Sequence, residues 1–183
     1  ECKQSIQGIA KDNLTSQSLS NVGVQLIDAS GKIISEIDTN SQGEYSFEVD
    51  CDKNYTIRGS IKDYEDDVIK VNVSVINAHI NIAELSLTPL IRDEEIVIKP
   101  IFFNFDKWNI RTDAKYELEN IVDVMRNHPT MVIKIESHTD SRGSNRYNMR
   151  LSNKRANSTK DYLLSRGLDA SRIESAIGYG ESQ

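Results

Sequence analysis

MVIKIESHTDSRGSNRYNMRLSNKRANSTKDYLLSRG, residues 131–167, changes periodicity midway, and where it changes decides how the second half of the chain is read. Met131, Ile133 and Ile135 alternate with Val132, Lys134 and Glu136, a period of two that turns one face of a strand to a core. A polar loop follows from Ser137. Beyond it Ala156, Thr159, Leu163 and Leu164 recur at helical spacing as far as Gly167, and Ser152 is the expected N-cap. Upstream, IVIKPIFFNFD (96–106) is an apolar run rich in β-branched and aromatic residues and is expected to form a strand. Thr112 is the expected cap of a first helix, with Asp113 in its first turn and Ala114, Leu118, Ile121, Val122 and Met125 along its buried face. Downstream, SRIESAIGYG (171–180) reads as another strand. The order βαβαβ predicts helices packed on a sheet, an α/β sandwich spanning residues 96–183.

Two acids, Asp106 and Asp140, fall at the C-terminal ends of the first two expected strands, where ligands of alternating α/β layouts often sit. With Ser152 as cap, Arg155 lies in the first helical turn, a mildly unfavourable place for a cation. Helix end and guanidinium together favour an anionic group there. Arg142, Arg146, Arg150 and Lys154 recur every four residues. Such a stripe also suits nucleic acid, but aromatic interleaving stops at Tyr147 and the chain is acidic, so a solvated surface is the better reading. His138 has no Cys or second His beside it and reads as a structural residue of the loop. No metal or cofactor site is expected. Asp106 and Asp140 also raise the possibility of a hydrolytic carboxylate pair. With no G-x-S-x-G nucleophile motif, no catalytic residue is assigned.

Residues 1–88 differ. Short alternating segments occur at 5–12, 22–28, 32–38, 44–49, 55–60, 67–73 and 79–85, separated by turn signals such as Asn40-Ser41-Gln42-Gly43. Seven such strands predict an all-β antiparallel sandwich. Pro89 is expected to interrupt strand pairing, and residues 89–95, with the charged run RDEE, form the expected linker. Cys2 and Cys51 lack a CxxC or His-bearing context, so a disulfide is favoured over two free thiols, and it implies an oxidising compartment such as a periplasm.

The chain has 183 residues, 38% hydrophobic and 27% charged, enough for two small domains or one large one. Its net charge of −6 resides wholly in residues 1–92, with 8 Lys/Arg against 14 Asp/Glu; residues 93–183 hold 14 of each. Within the second half, residues 142–172 carry 8 basic and 2 acidic residues. No run of ~18 apolar residues marks a transmembrane helix. Glu1 in place of Met and the lack of a signal peptide lead to the expectation of a mature or excised fragment.

Both halves resemble known families. The pattern GIAKDNLTSQSLSNVGVQLIDASGKIISEIDTNSQGEYSFEVD resembles the carboxypeptidase regulatory-like, prealbumin-like sandwich over about residues 5–75, which implies a spacer or interaction module rather than an enzyme. FFNFDKWNI, HTDSRGSNRYNMRLSNKRANS and RIESAIGYGES resemble the OmpA C-terminal (OmpA/MotB-like) peptidoglycan-binding domain, with its T-D-x-x-G, Y-N-x-x-L-S-x-x-R-A and G-Y-G-E elements in order. That resemblance implies noncovalent binding of the diaminopimelate of the peptidoglycan stem peptide, without a cofactor. Asp140 would pair with the ammonium and Arg155 would hold a carboxylate, while Asp106 and Asn148 match further ligand-contacting positions. Thr139, Ser141, Arg142, Gly143 and Leu151 belong to the same motif, and the 141–143 turn would offer backbone donors. Arg142 departs from the small or polar residue usual there. The family's later Asn-Arg-Arg element is absent before Gln183, so the site is expected to be incomplete at that end. The two-domain order resembles the C-terminal part of PorE-type periplasmic lipoproteins, which implies outer-membrane-associated protein partners, including those of type IX secretion, and a periplasmic location.

Overall fold

The computed structural model describes residues 1–181. Residues 182 and 183, the last of the expected C-terminal domain, lie outside the described residues. The chain divides into two compact units, Glu1–Glu95 and Ile96–Gln183.

The first unit contains β1 (Lys3–Asp12), β2 (Gly23–Asp28), β3 (Ile33–Asp38), β4 (Glu44–Asp50), β5 (Lys53–Ser60), β6 (Tyr64–Glu65), β7 (Asp67–Val73), β8 (Ile80–Ile82) and β9 (Leu85–Pro89). One sheet runs β4-β1-β9-β6 with β8 also beside β1, and the other runs β3-β2-β5-β7. Alternation explains the layering. In β4, Tyr45, Phe47 and Val49 are buried while Glu44, Ser46 and Glu48 face solvent. They join Ile6, Val24, Ile57, Leu85 and Leu87 in one core. Fully burying side chains of this size contributes about 1.5–3 kcal/mol each. The sheet-rich unit fits a prealbumin-like sandwich.

The sandwich is not all-antiparallel, however. β1 pairs parallel with β8 (Ser5 opposite Ile80) and with β9 (Ala10 opposite Leu85). The chain leaves β7 in one sheet and crosses to the other, and such a crossover is what permits a parallel neighbour. The single strand expected at 79–85 is accordingly two. Ala83 between them donates its N–H to the Gln7 carbonyl at 2.8 Å. Cys2 and Cys51 form a disulfide with Cα atoms 5.6 Å apart, joining the start of β1 to the end of β4. Pro89 does not interrupt pairing; it ends β9 opposite Tyr64, where a missing N–H is tolerated. Beyond it β10 (Ile91–Arg92) and β11 (Glu95–Ile96) pair as a short hairpin.

The second unit contains α1 (Thr112–Asn127), β12 (Ile133–Ser137), α2 (Asn145–Ser165), a 3-10 turn (Ala170–Arg172) and β13 (Ile173–Gly178). β12 and β13 pair in parallel. Val122, Met125, Ile135, Ala156, Leu163 and Ile173 form its core. β13 and α2 approach closely at Gly178, where a Cβ would lie 2.1 Å from the Asn153 nitrogen, so only glycine fits.

Three expectations fail here. Residues 97–106 form no strand, so the leading β of βαβαβ is missing among the described residues. Pro100 removes a ladder donor from that run, and the Asn104 and Lys107 carbonyls are bound instead by the Arg155 side chain. Thr112 is not a cap but the first helical residue, preceded by Arg111 with no side-chain cap bond. Ser152 does not start α2. Ser144 does, accepting a hydrogen bond from the Tyr147 N–H at 3.2 Å. Ser152 is fully buried in mid-helix, donating to the Met149 carbonyl and accepting from the Gly180 N–H.

Candidate functional site

The loop between β12 and α2 is set by its own backbone chemistry. The Thr139 N–H donates to the Gly180 carbonyl at 2.7 Å, tying the loop to the segment after β13. The Thr139 hydroxyl is buried without a hydrogen-bond partner among the described residues. The Asp140 carboxylate accepts the Arg142 N–H at 3.3 Å, an acid closing a turn on its own backbone. The Arg142 guanidinium stands 3.8 Å from the same carboxylate, whose side chain is 71% exposed. Ser141 is exposed as well. Gly143 has φ of +101°, and a Cβ there would touch the Tyr147 ring at 3.0 Å. The turn therefore needs glycine just before the helix cap.

α2 then presents Asn148, Leu151 and Arg155 along one side, at the i, i+3, i+7 spacing of a helix face. Asn148 is buried, and its side-chain amide donates to the Asp140 carbonyl at 3.3 Å. Leu151 is buried and packs the face between the two polar residues. Arg155 is half-buried. Its Nε donates to the Lys107 carbonyl at 3.0 Å and one terminal nitrogen to the Asn104 carbonyl at 3.4 Å, with the guanidinium 4.9 Å from the Phe103 ring centroid. Asp106 holds a left-handed φ of +53° in this loop, and its carboxylate accepts the Tyr147 hydroxyl at 2.6 Å.

Loop 104–107 thus meets α2 through Arg155 and Tyr147, and the 139–143 turn meets it through Asn148. Asp106, Asp140, Asn148 and Arg155 lie along the first three turns of the helix. The electrostatics agree with the geometry. Burial pulls the pKa of Arg155 down, opposed by the negative field of Tyr147, Asp140 and Asp106. An arginine so placed remains charged at neutral pH. The hydrogen bond to Asp106 raises the Tyr147 hydroxyl above its ordinary range.

Two parts of the sequence reading are corrected. Arg155 does not lie in the first turn of its helix, because α2 begins at Asn145; its position owes nothing to a helix N-terminus. Asp106 does not end a strand but sits in an irregular loop. No ion pair joins Asp140 to Arg155 among the described residues; Asp140 faces Arg142 instead. Sequence reasoning missed Tyr147 as the partner of Asp106, and Ser144 as the cap, although Ser144 directly follows the glycine that closes the loop. It also missed the carbonyls of Asn104 and Lys107, which no residue pattern marks. His138 stacks on Tyr179 with ring centroids 5.6 Å apart. Groups of three or more His, Cys, Asp or Glu placed to hold a metal are absent among the described residues.

The OmpA family model matches residues 102–183, and an OmpA family domain occupies that stretch. Outer membrane porin F of Pseudomonas aeruginosa is 38% identical over 82 residues, covering 44% of this chain and 23% of the relative. A peptidoglycan-associated lipoprotein of Agrobacterium fabrum is 39% identical over 83 residues, covering 45% of this chain and 46% of the relative. The chain spans less than half the length of either. Among solved structures, the peptidoglycan-associated lipoprotein from Burkholderia pseudomallei is 28% identical with a TM-score of 0.43, covering 45% of this chain and 70% of that one.

Proposed function

We propose that the second unit binds peptidoglycan noncovalently through the diaminopimelate of the stem peptide, and that the chain tethers an outer-membrane-associated assembly to the cell wall. The observation that carries this reading is the gathering of Asp140, Arg155, Asp106 and Asn148 along the first three turns of α2, inside the stretch that matches the OmpA family. Diaminopimelate carries an ammonium and carboxylates on one short chain. The exposed Asp140 carboxylate takes the ammonium. Arg155 spends two of its five N–H donors on the 104 and 107 carbonyls, which fixes the fork and leaves donors for a carboxylate. Thr139, Ser141, Arg142 and Gly143 shape the turn, and Leu151 supports it from the core.

The first unit acts in this proposal as a carboxypeptidase regulatory-like spacer or docking module, with residues 89–95 as the connection. The location is periplasmic, at the outer membrane. The domain order supports placing the assembly in type IX secretion. Crosslinked cells in which this chain captures no secretion component overturn that placement.

Sedimentation with purified sacculi tests the central reading. The wild-type chain co-sediments and is displaced by free diaminopimelate, whereas Asp140→Asn and Arg155→Ala stay in the supernatant. Equal sedimentation of all three overturns diaminopimelate recognition. Release of soluble muropeptides by the wild type, lost in Asp140→Asn, would make it a hydrolase instead.

A further inference from the structure

The flank of α2 turned away from its buried face forms one wall of an open groove of about 630 Å³. Trp108, Arg146, Arg150, Asn153, Lys154 and Asp161 are among its lining residues. Arg146, Arg150 and Lys154 follow one another at four-residue steps, so the cations stand about 6 Å apart along the helix. Like charges at this spacing destabilise a helix. The side chains of Arg146 and Arg150 make no ion pair or hydrogen bond among the described residues, so no direct bond offsets that repulsion. Lys154 lies 3.8 Å over the centroid of the Trp108 ring, which pins the ammonium at the groove wall. An uncompensated row of cations, held in a groove, is placed to meet an anion from outside.

Three kinds of polyanion differ in what they need. Single-stranded nucleic acid uses a series of open aromatic faces for base stacking, whereas Trp108 is the one aromatic among the lining residues and Lys154 covers one of its faces. An anionic bilayer sets no spacing on the cations that meet it. Carboxylates on alternate residues of an extended peptide recur at about 7 Å, close to the step of the cation row. Asp161 at the far end offers one anion for an ammonium.

We propose that this groove is a second contact with the sacculus, in which Arg146, Arg150 and Lys154 bind carboxylates of peptidoglycan outside the stem-peptide unit held at Asp140. The inference rests on the reading of the α2 loop site as a peptidoglycan site, but it uses other residues and a different face of the helix. The loop site supplies recognition of one unit. The groove adds avidity on the polymer, because the second contact forms at high effective concentration. Exposed charge pairs are screened by salt, so this contribution fades as ionic strength rises.

The test uses the full chain and two ligands, purified sacculi and a soluble monomeric muropeptide containing diaminopimelate. The triple variant Arg146→Gln/Arg150→Gln/Lys154→Gln is expected to lose sacculus affinity by about tenfold at low salt. Its affinity for the soluble muropeptide stays at the wild-type value, and the difference on sacculi closes at high salt. On sacculi with amidated carboxylates, which remove the carboxylate held by Arg155 as well, the wild type and the triple variant bind equally weakly. Unchanged sacculus affinity in the triple variant overturns the proposal, as does an equal loss on both ligands. Cation-dependent binding to phosphatidylglycerol vesicles or polyuridylate, with none to sacculi, overturns it in favour of another polyanion. A loss in the triple variant with none in Asp140→Asn supports the groove and overturns the reading of the loop site.

Discussion

The two units are held together by different kinds of bond. In the first, β1 pairs with β4 from Lys3 to Ile9 and β5 with β7 from Lys53 to Gly59, so backbone answers backbone across whole strands. In the second, two short strands pair, and side chains bridge the remaining gaps to backbone. Arg155 holds the 104 and 107 carbonyls, Arg172 the carbonyls of Met125, His128 and Met131, and Asn153 the Gly178 N–H. A ladder spreads its load over many residues. A guanidinium concentrates it on one. The first unit should therefore tolerate most single changes away from its core and its crosslink, and the second should not.

The largest expected effect tests the ladder side of this contrast. The Cys2–Cys51 bridge closes a loop with a sequence separation of 49. On the loop-entropy account its removal costs about 4 kcal/mol. Cys2→Ser/Cys51→Ser should lower the unfolding midpoint of the sandwich in denaturant and leave that of the second unit where it was. A common shift in both would mean the units do not unfold separately. Next is Gly178→Val, which forces a side chain against the α2 backbone and should destabilise the second unit by about 3 kcal/mol. A midpoint unchanged within error would show that β13 moves away from α2 at little cost.

This contrast also explains what was legible in the sequence. Strand alternation is local, so Tyr45, Phe47 and Val49 announce their buried face without knowledge of the partner. The T-D-x-x-G and R-A motif residues could likewise be picked out, and the structure gathers them around α2. The carbonyls that Arg155 holds are 48 and 51 residues away, and no periodicity encodes such a contact. The start of α2 was misplaced because its first two turns are almost wholly polar, so the apolar rhythm begins only at Leu151. The run at 96–106 was misread because a continuous apolar segment does not by itself distinguish a strand from a loop docked by its side chains.

Arg172 sharpens the comparison at a smaller scale. Its guanidinium collects the carbonyl of Met125 in the last turn of α1, a group that a helix terminus leaves without a partner, and those of His128 and Met131 just beyond it. Arg172→Ala should cost the second unit about 2 kcal/mol. Arg172→Lys should recover only part of that, since an ammonium lacks the planar fork. Full recovery by lysine, measured by chemical unfolding, would show that charge alone is sufficient and that the fork geometry is incidental.

The smallest effect belongs to the surface of the sandwich. Asp50 accepts hydrogen bonds from Lys3 and Lys53, each at 2.6 Å, and these hold its carboxyl down from the usual 3.8 to about 2. A carboxylate whose pKa is lower in the folded chain binds its proton more readily when unfolded. Its contribution is therefore present above pH 3.8 and is lost as the pH falls toward 2. The three side chains are exposed enough for water and salt to screen most of the effect. Asp50→Asn should flatten the acid limb of the sandwich's stability between those two pH values, by lowering stability slightly above pH 3.8 and leaving it nearly unchanged near pH 2. An equally steep acid limb in the variant would assign the loss to other carboxylates. Asp12 is the first to examine, since it is buried and its pKa is lowered by the N–H groups of Thr15 and Leu14 against the opposing effect of its burial.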